Sequence, residues 1–166
     1  MATEQLTQTL ERYLEAVYRL QRQKGTARVK DIAAMVGVHK STVTSALRSL
    51  SERGLVNYEP YEAVTLTAEG GRRGEMLDKR HRVLCHFLEN VLDVEREVAN
   101  RNACRMEHAM DERVLKRIVC LLAFLQEAPA ETEWVEHFQR FAERMSAEKS
   151  CEEWVEECLG AIDSPE

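Results

Sequence analysis

Val29-Lys30-Asp31-Ile32-Ala33-Ala34-Met35-Val36, followed by Gly37-Val38-His39 and then the run from Lys40 to Arg53, is the stretch that decides the fold. It reads as a short helix, a tight turn at Gly37 and a second helix closed by Gly54. On the second helix Val43, Leu47 and Leu50 recur at helical spacing and define an inner face, while Ser41, Thr44, Ser45 and Arg48 define an outer one. Two helices joined by such a turn form the unit whose second helix enters the major groove of duplex DNA, leading with its N-terminal end. Ser41, Thr42, Thr44, Ser45 and Arg48 offer hydroxyl or guanidinium donors to phosphates or base edges, and Lys40 adds charge where the helix begins. A polar, solvated face in some other helical domain would look similar, so the flanking sequence carries weight.

Upstream, Leu6, Leu10, Tyr13, Leu14, Val17, Tyr18 and Leu20 predict an amphipathic helix ending near Gly25. Downstream, Leu55–Glu59 and Ala63–Thr67 have strand composition and are joined across Pro60-Tyr61-Glu62, which predicts a hairpin wing. Thr67 then serves as N-cap of a long helix running toward Val91, with Leu77, Leu84, Phe87, Leu88 and Val91 inward. Two more helices follow over 94–109 and 112–127; the second is apolar enough, through Leu115, Ile118, Val119, Leu122 and Leu125, to call for a partner. Ala128-Pro129-Ala130 reads as a linker, and Trp134, Phe138, Trp154 and Leu159 mark helices in the tail. The expected architecture is mainly α: an N-terminal winged helix-turn-helix with a two-strand wing over 1–74, an α-helical dimerisation domain over 75–128, and an acidic helical tail over 129–166.

With 166 residues, 44% of them hydrophobic, the chain can bury a substantial core. Its net charge of −6 argues against a nucleic-acid binder until it is divided along the chain. Residues 1–74 carry +3, 75–130 carry −1 and 131–166 carry −8, so the DNA-reading segment is the basic one. Five cysteines, an odd number without framework spacing, favour free thiols in a reducing compartment. With neither a membrane-length apolar run nor a signal-peptide pattern in the sequence, a cytoplasmic protein without membrane contact is expected.

Cys104-Arg105-Met106-Glu107-His108 adds a second chemistry. On a helix, Cys104, Glu107 and His108 stand at i, i+3 and i+4, placing thiolate, carboxylate and imidazole on one face, where they can chelate a divalent ion. A metal-dependent hydrolase with Glu107 as base beside His108 is a remote alternative, since the zinc-peptidase pattern and a phosphate-cradling glycine loop are missing from the sequence.

Taken together, Tyr13–Leu20, Val29–Ala33, Leu66–Gly70, Lys79-Arg80-His81-Arg82 and Ala103–His108 match in order and spacing. From about Thr9 to Leu125 the chain resembles the diphtheria toxin repressor and manganese transport regulator family of metal-dependent repressors. The resemblance implies a homodimer on a palindromic operator with Fe(II) or Mn(II) as corepressor. It implies His81, Cys104, Glu107 and His108 as ligands from the helical region and Glu15 as the ligand from the first helix. Cys104, standing where manganese-type members have a carboxylate, favours Fe(II) over Mn(II). Three departures accompany it. Arg12 occupies a position where the family has a ligand, Cys85 and Asn100 replace the accessory-site carboxylate and imidazole, and the tail replaces a further domain. Cys151 and Cys158, seven apart, could ligate metal or pack with Trp154. Arg12 also opens an alternative, a metal-independent regulator in which its guanidinium pairs with Glu107 or Glu15.

Overall fold

The computed structural model describes residues 6–127 and 132–148, together with 150, 152, 153, 155, 156 and 159. The linker 128–130 and Cys151, Trp154 and Cys158 therefore lie outside the described residues.

Helix α1 (Gln8–Lys24) starts at Thr7, whose hydroxyl accepts the Leu10 N–H, and stops at Gly25 in the left-handed region. Its apolar residues Leu14, Val17 and Leu20 are buried beneath α2 (Val29–Val36) and α3 (Lys40–Glu52). Gly37 makes the turn between these two helices. Its φ of 75° suits a residue without Cβ, and its N–H caps α2 by donating to the Ala33 carbonyl. Ile32, Val43, Leu47 and Leu50 close the core from the other side, so the helix-turn-helix expected from the spacing is present.

The wing is shorter than its composition suggests. Only Val56–Asn57 (β1) and Thr65–Leu66 (β2) pair, antiparallel, with a further bridge from Val64 to Ala27. Pro60 has no N–H to give a ladder, and Tyr61 at φ 71° turns the chain at a fully exposed tip. The inward Leu55, Val56 and Val64 join the core and hold the wing to it.

Thr67 caps α4 (Ala68–His86): its hydroxyl accepts the Gly70 N–H and donates to the Gly54 carbonyl. Two glycines let α4 lie directly on the winged-helix unit. A Cβ at Gly70 would fall 1.8 Å from the Leu55 carbonyl oxygen, and one at Gly74 would fall 2.7 Å from the Tyr18 Cβ. This close crossing brings the next turns of α4, with Asp78 and His81, against α1. The expected continuous helix to Val91 instead ends at His86 and passes into a π-helical turn, Phe87–Val91, in which the Leu92 N–H reaches the Phe87 carbonyl. The wider turn accommodates an extra residue while Leu88 and Val91 stay buried and Phe87 becomes half-buried.

Helices α5 (Arg96–Met106) and α6 (Glu112–Glu127) complete the second half. Leu84, Leu88, Ala99 and Ala103 form a small core there, with Leu115 and Ile118 of α6 against it. Val114, Val119, Leu121 and Phe124 of α6 remain exposed, Phe124 by 57%. Helix α7 (Thr132–Glu148) follows and meets the body where the Gln139 amide donates to the Asn90 carbonyl. Among the described residues no helix is long and apolar enough to cross a membrane.

Candidate metal centre and DNA-reading helix

Helix α1 carries charge on the face it turns toward α4 and α5. Glu11, Glu15 and Arg19 succeed one another every four residues, and Glu15 is only 4% exposed although its sequence neighbours Leu14 and Ala16 are core. Opposite it, the end of α5 and the turn after it place Glu107 (2% exposed) and His108, whose side chain is 3% exposed. One potential donor atom from each of Glu15, Glu107 and His108 lies within 4.8 Å of the others.

The partners of these groups are specific. His108 Nδ1 lies 3.0 Å from Glu11 Oε2, while its Nε2 faces Glu107 Oε1 at 3.3 Å and Glu15 Oε2 at 3.9 Å. The remaining Glu107 oxygen, Oε2, bonds His81 Nδ1 at 2.9 Å. On the far side of that ring, His81 Nε2 meets Asn100 Oδ1 at 2.9 Å and Cys85 Sγ at 3.2 Å. Glu15 Oε1 touches Arg19 at 2.6 Å, and Arg19 Nε donates to Asp78 on α4 at 3.2 Å. Several of these approaches join opposite charges without hydrogen-bond alignment. Glu15 Oε1, Arg19 NH2, Glu107 Oε1 and His108 Nε2 are buried with no hydrogen-bond partner.

The electrostatics follow. Burial, reinforced by the charge of Glu107 and only partly offset by Arg19, raises the Glu15 carboxyl to about 7. Burial works against the charge of Glu107 as well, but the two imidazoles outweigh it and hold its carboxyl at about 2. Burial likewise disfavours a charged His108, yet Glu107 and Glu11 outweigh it and lift the imidazole to about 9. The Cys104 thiol is pushed up by burial and by Glu107. Leaving a buried polar atom unpaired costs about 1–3 kcal/mol. Two such atoms, Glu107 Oε1 and His108 Nε2, face each other and Glu15 Oε2 faces the imidazole, so two carboxylates and an imidazole converge as a donor set that fits a divalent transition-metal ion.

Of the five residues anticipated as ligands, the structure brings Glu15, Glu107 and His108 together. His81 sits behind Glu107 with both ring nitrogens engaged. Cys104 lies beside the group and is half-buried. With Arg12, Glu15, Ala16, Arg19, Met35 and Val36 it lines a small cavity of about 60 Å³, so the space next to Glu15 reaches α2 of the helix-turn-helix. Arg12 is exposed at this opening and makes no ion pair with Glu15 or Glu107; among the described residues it is Arg19 that contacts Glu15. Sequence reasoning missed Glu11, Arg19 and Asp78. The four-residue spacing of Glu11, Glu15 and Arg19 within an otherwise apolar helix was the available signal.

On α3, Lys40, Ser41, Thr42, Ser45 and Arg48 are exposed and Thr44 is half-buried. The Thr44 hydroxyl donates to the Lys40 carbonyl and that of Ser45 to the Ser41 carbonyl, which leaves their oxygens free to accept from outside. His39 precedes the helix without a side-chain cap, so the first amides of α3 are open to an anion such as a backbone phosphate.

Residues 5–64 match the family model described as iron dependent repressor, N-terminal DNA binding domain, and residues 67–136 match its metal binding and dimerisation domain. The chain belongs to the iron-dependent repressor family. It is a metal-dependent, DNA-binding transcriptional regulator, not an enzyme. Among relatives, the HTH-type transcriptional regulator MntR of Bacillus subtilis is 32% identical over 82% of this chain and 96% of its own length. An HTH-type transcriptional regulator of Methanocaldococcus jannaschii is 30% identical over 68% of this chain and 91% of its own. A solved manganese-dependent transcriptional repressor in complex with manganese is 34% identical with a TM-score of 0.64, covering 72% of this chain. This repressor spans only 55% of that longer structure.

Proposed function

We propose that this repressor uses a divalent transition metal, Fe(II) in preference to Mn(II), as the corepressor that lets a cytoplasmic homodimer bind a palindromic operator. Glu15, Glu107 and His108 would hold the ion, with Cys104 at the edge of the site and His81 orienting Glu107. Bound there, the ion supplies the positive charge that draws two carboxylates and an imidazole to one point. The observation that carries this reading is the convergence, within 4.8 Å, of one buried donor atom each from Glu15 on α1 and from Glu107 and His108 just past the end of α5.

The chain's own residues explain how such a site reaches DNA. Glu15 belongs to the helix on which α2 and α3 pack, whereas Glu107 and His108 lie at the end of α5 and in the turn after it. Fixing one against the other fixes the recognition helix relative to the dimer axis, and so the spacing of two such helices, near one turn of duplex. Glu11 holds the His108 ring by Nδ1, which keeps Nε2 pointed inward. The operator affinity gained is bounded by how much more tightly the competent arrangement holds the ion. Helix α4 (Ala68–His86) would carry the adjustment from a DNA-binding unit over 1–74 to a dimerisation unit beginning at 75. Lys40, Ser41, Thr42, Thr44, Ser45 and Arg48 would contact the duplex, and the exposed apolar side of α6 would meet its symmetry mate.

Metal analysis of protein purified anaerobically, followed by titration of wild type, Glu15→Gln, His108→Ala and Cys104→Ser, tests the assignment. Loss of stoichiometric binding in the first two variants and weakened binding in the third is expected. Full-affinity binding by both Glu15→Gln and His108→Ala would place the ion elsewhere.

A further inference from the structure

We propose, building on the metal reading above, that Arg19 determines which metals the centre accepts by withholding one oxygen of Glu15. The guanidinium stands one turn beyond Glu15 on α1, 2.6 Å from Oε1, and is anchored from a second helix by the Arg19 Nε bond to Asp78 at 3.2 Å. Glu15 is left with Oε2 as the oxygen facing His108 Nε2. The same economy recurs around the group: Glu107 Oε2 is taken by His81 and His108 Nδ1 by Glu11. Each donor residue thus presents one atom to the site, and among the described residues that line the adjoining cavity Cys104 is the one further thiol or carboxylate beside Glu15.

Three or four donors of mixed O, N and S type suit ions content with tetrahedral coordination, such as zinc, whereas Mn(II) is served best by octahedral, oxygen-rich sites. Of the three withheld atoms, Glu15 Oε1 is the one held by a permanent cation, which cannot itself become a ligand. Removing that cation frees a second carboxylate oxygen for the metal. It also changes the electrostatic field, but all divalent ions feel that change alike, so the ratio of two metal affinities isolates the donor count.

The test uses the full chain and its Arg19→Met variant, titrated anaerobically with Mn(II), Zn(II) and Co(II) against a metal indicator. For Arg19→Met the Mn(II) affinity should rise relative to Zn(II) by roughly tenfold. The Co(II) complex of wild type should show the intense visible bands of four-coordination, and that of the variant should lose them. Arg19→Lys, which keeps a cation able to hold Oε1, should stay close to the wild-type ratio. Should Arg19→Met fail to fold, as judged by circular dichroism, Asp78→Ala removes the anchor and should move the ratio in the same direction. An unchanged ratio and Co(II) spectrum in the folded variant overturn the role of Arg19 while leaving the metal site standing. A wild type that binds no divalent ion overturns both readings.

Discussion

Glu15→Gln should make the metal-free protein more stable at alkaline pH while removing its metal response. The wild-type carboxyl is raised from 4.5 to about 7 by burial and by Glu107, so the folded state holds a proton that the unfolded state has lost between those values. Stability of the metal-free protein therefore falls as pH rises through that window, because ionised Glu15 is less well accommodated folded than unfolded. A displacement from 4.5 to about 7 corresponds to about 3 kcal/mol once Glu15 is fully ionised. The neutral amide mimics the protonated acid, and its oxygen can still receive Arg19. The variant should gain up to about 3 kcal/mol over wild type at about pH 8 and close to nothing at about pH 4. Urea unfolding in chelator at fixed protein concentration, scanned across pH, measures the difference. A variant less stable than wild type at the alkaline end, or a gain that does not vary with pH, would refute the claim that ionising buried Glu15 in the metal-free protein costs stability.

The remaining predictions concern the other elements. Metal affinity should increase from about pH 6 toward 9, because His108 must surrender a proton held up to about 9 before its nitrogen can ligate; isothermal titration in several buffers should show proton release on binding. Gly74→Ala should destabilise by about 1–3 kcal/mol in thermal unfolding, since its Cβ would press on Tyr18 and drive α4 off α1. Phe124→Glu on the exposed face of α6 should shift sedimentation toward monomer. Arg48→Ala or Lys40→Ala should weaken DNA binding across sequences, whereas Thr44→Ala or Ser45→Ala should change sequence preference, as competitive binding to mixed duplexes would reveal.

Much of this was readable from residues alone, for identifiable reasons. The helix-turn-helix was legible because Gly37 and the Val43, Leu47, Leu50 stripe are local signals, and the Thr67 cap because a hydroxyl before a helical run has one obvious use. The wing ladder was overestimated because composition reports β preference, whereas pairing near Pro60 depends on the backbone. The π turn at Phe87–Val91 left no mark in the hydrophobic period. For the centre, the spacing of Glu107 and His108 announced a shared face. That His81 would bond Glu107 through one nitrogen and Asn100 through the other depends on how α4 crosses α5, which no local pattern encodes. Arg12 drew attention because it replaces a residue type, yet Arg19, one helical repeat further in, is the cation that reaches Glu15.

The most direct measurement is the affinity of the 166-residue protein, purified without oxygen, for a duplex selected from a random pool. Binding is compared with Fe(II), with Mn(II) and with excess chelator at one ionic strength. The account predicts tight binding with either ion, tighter with Fe(II), and binding reduced to the non-specific level in chelator, with His108→Ala unresponsive throughout. Equal affinity in metal and in chelator, lost on Arg12→Met, would contradict it and identify a guanidinium rather than a metal as the clamp.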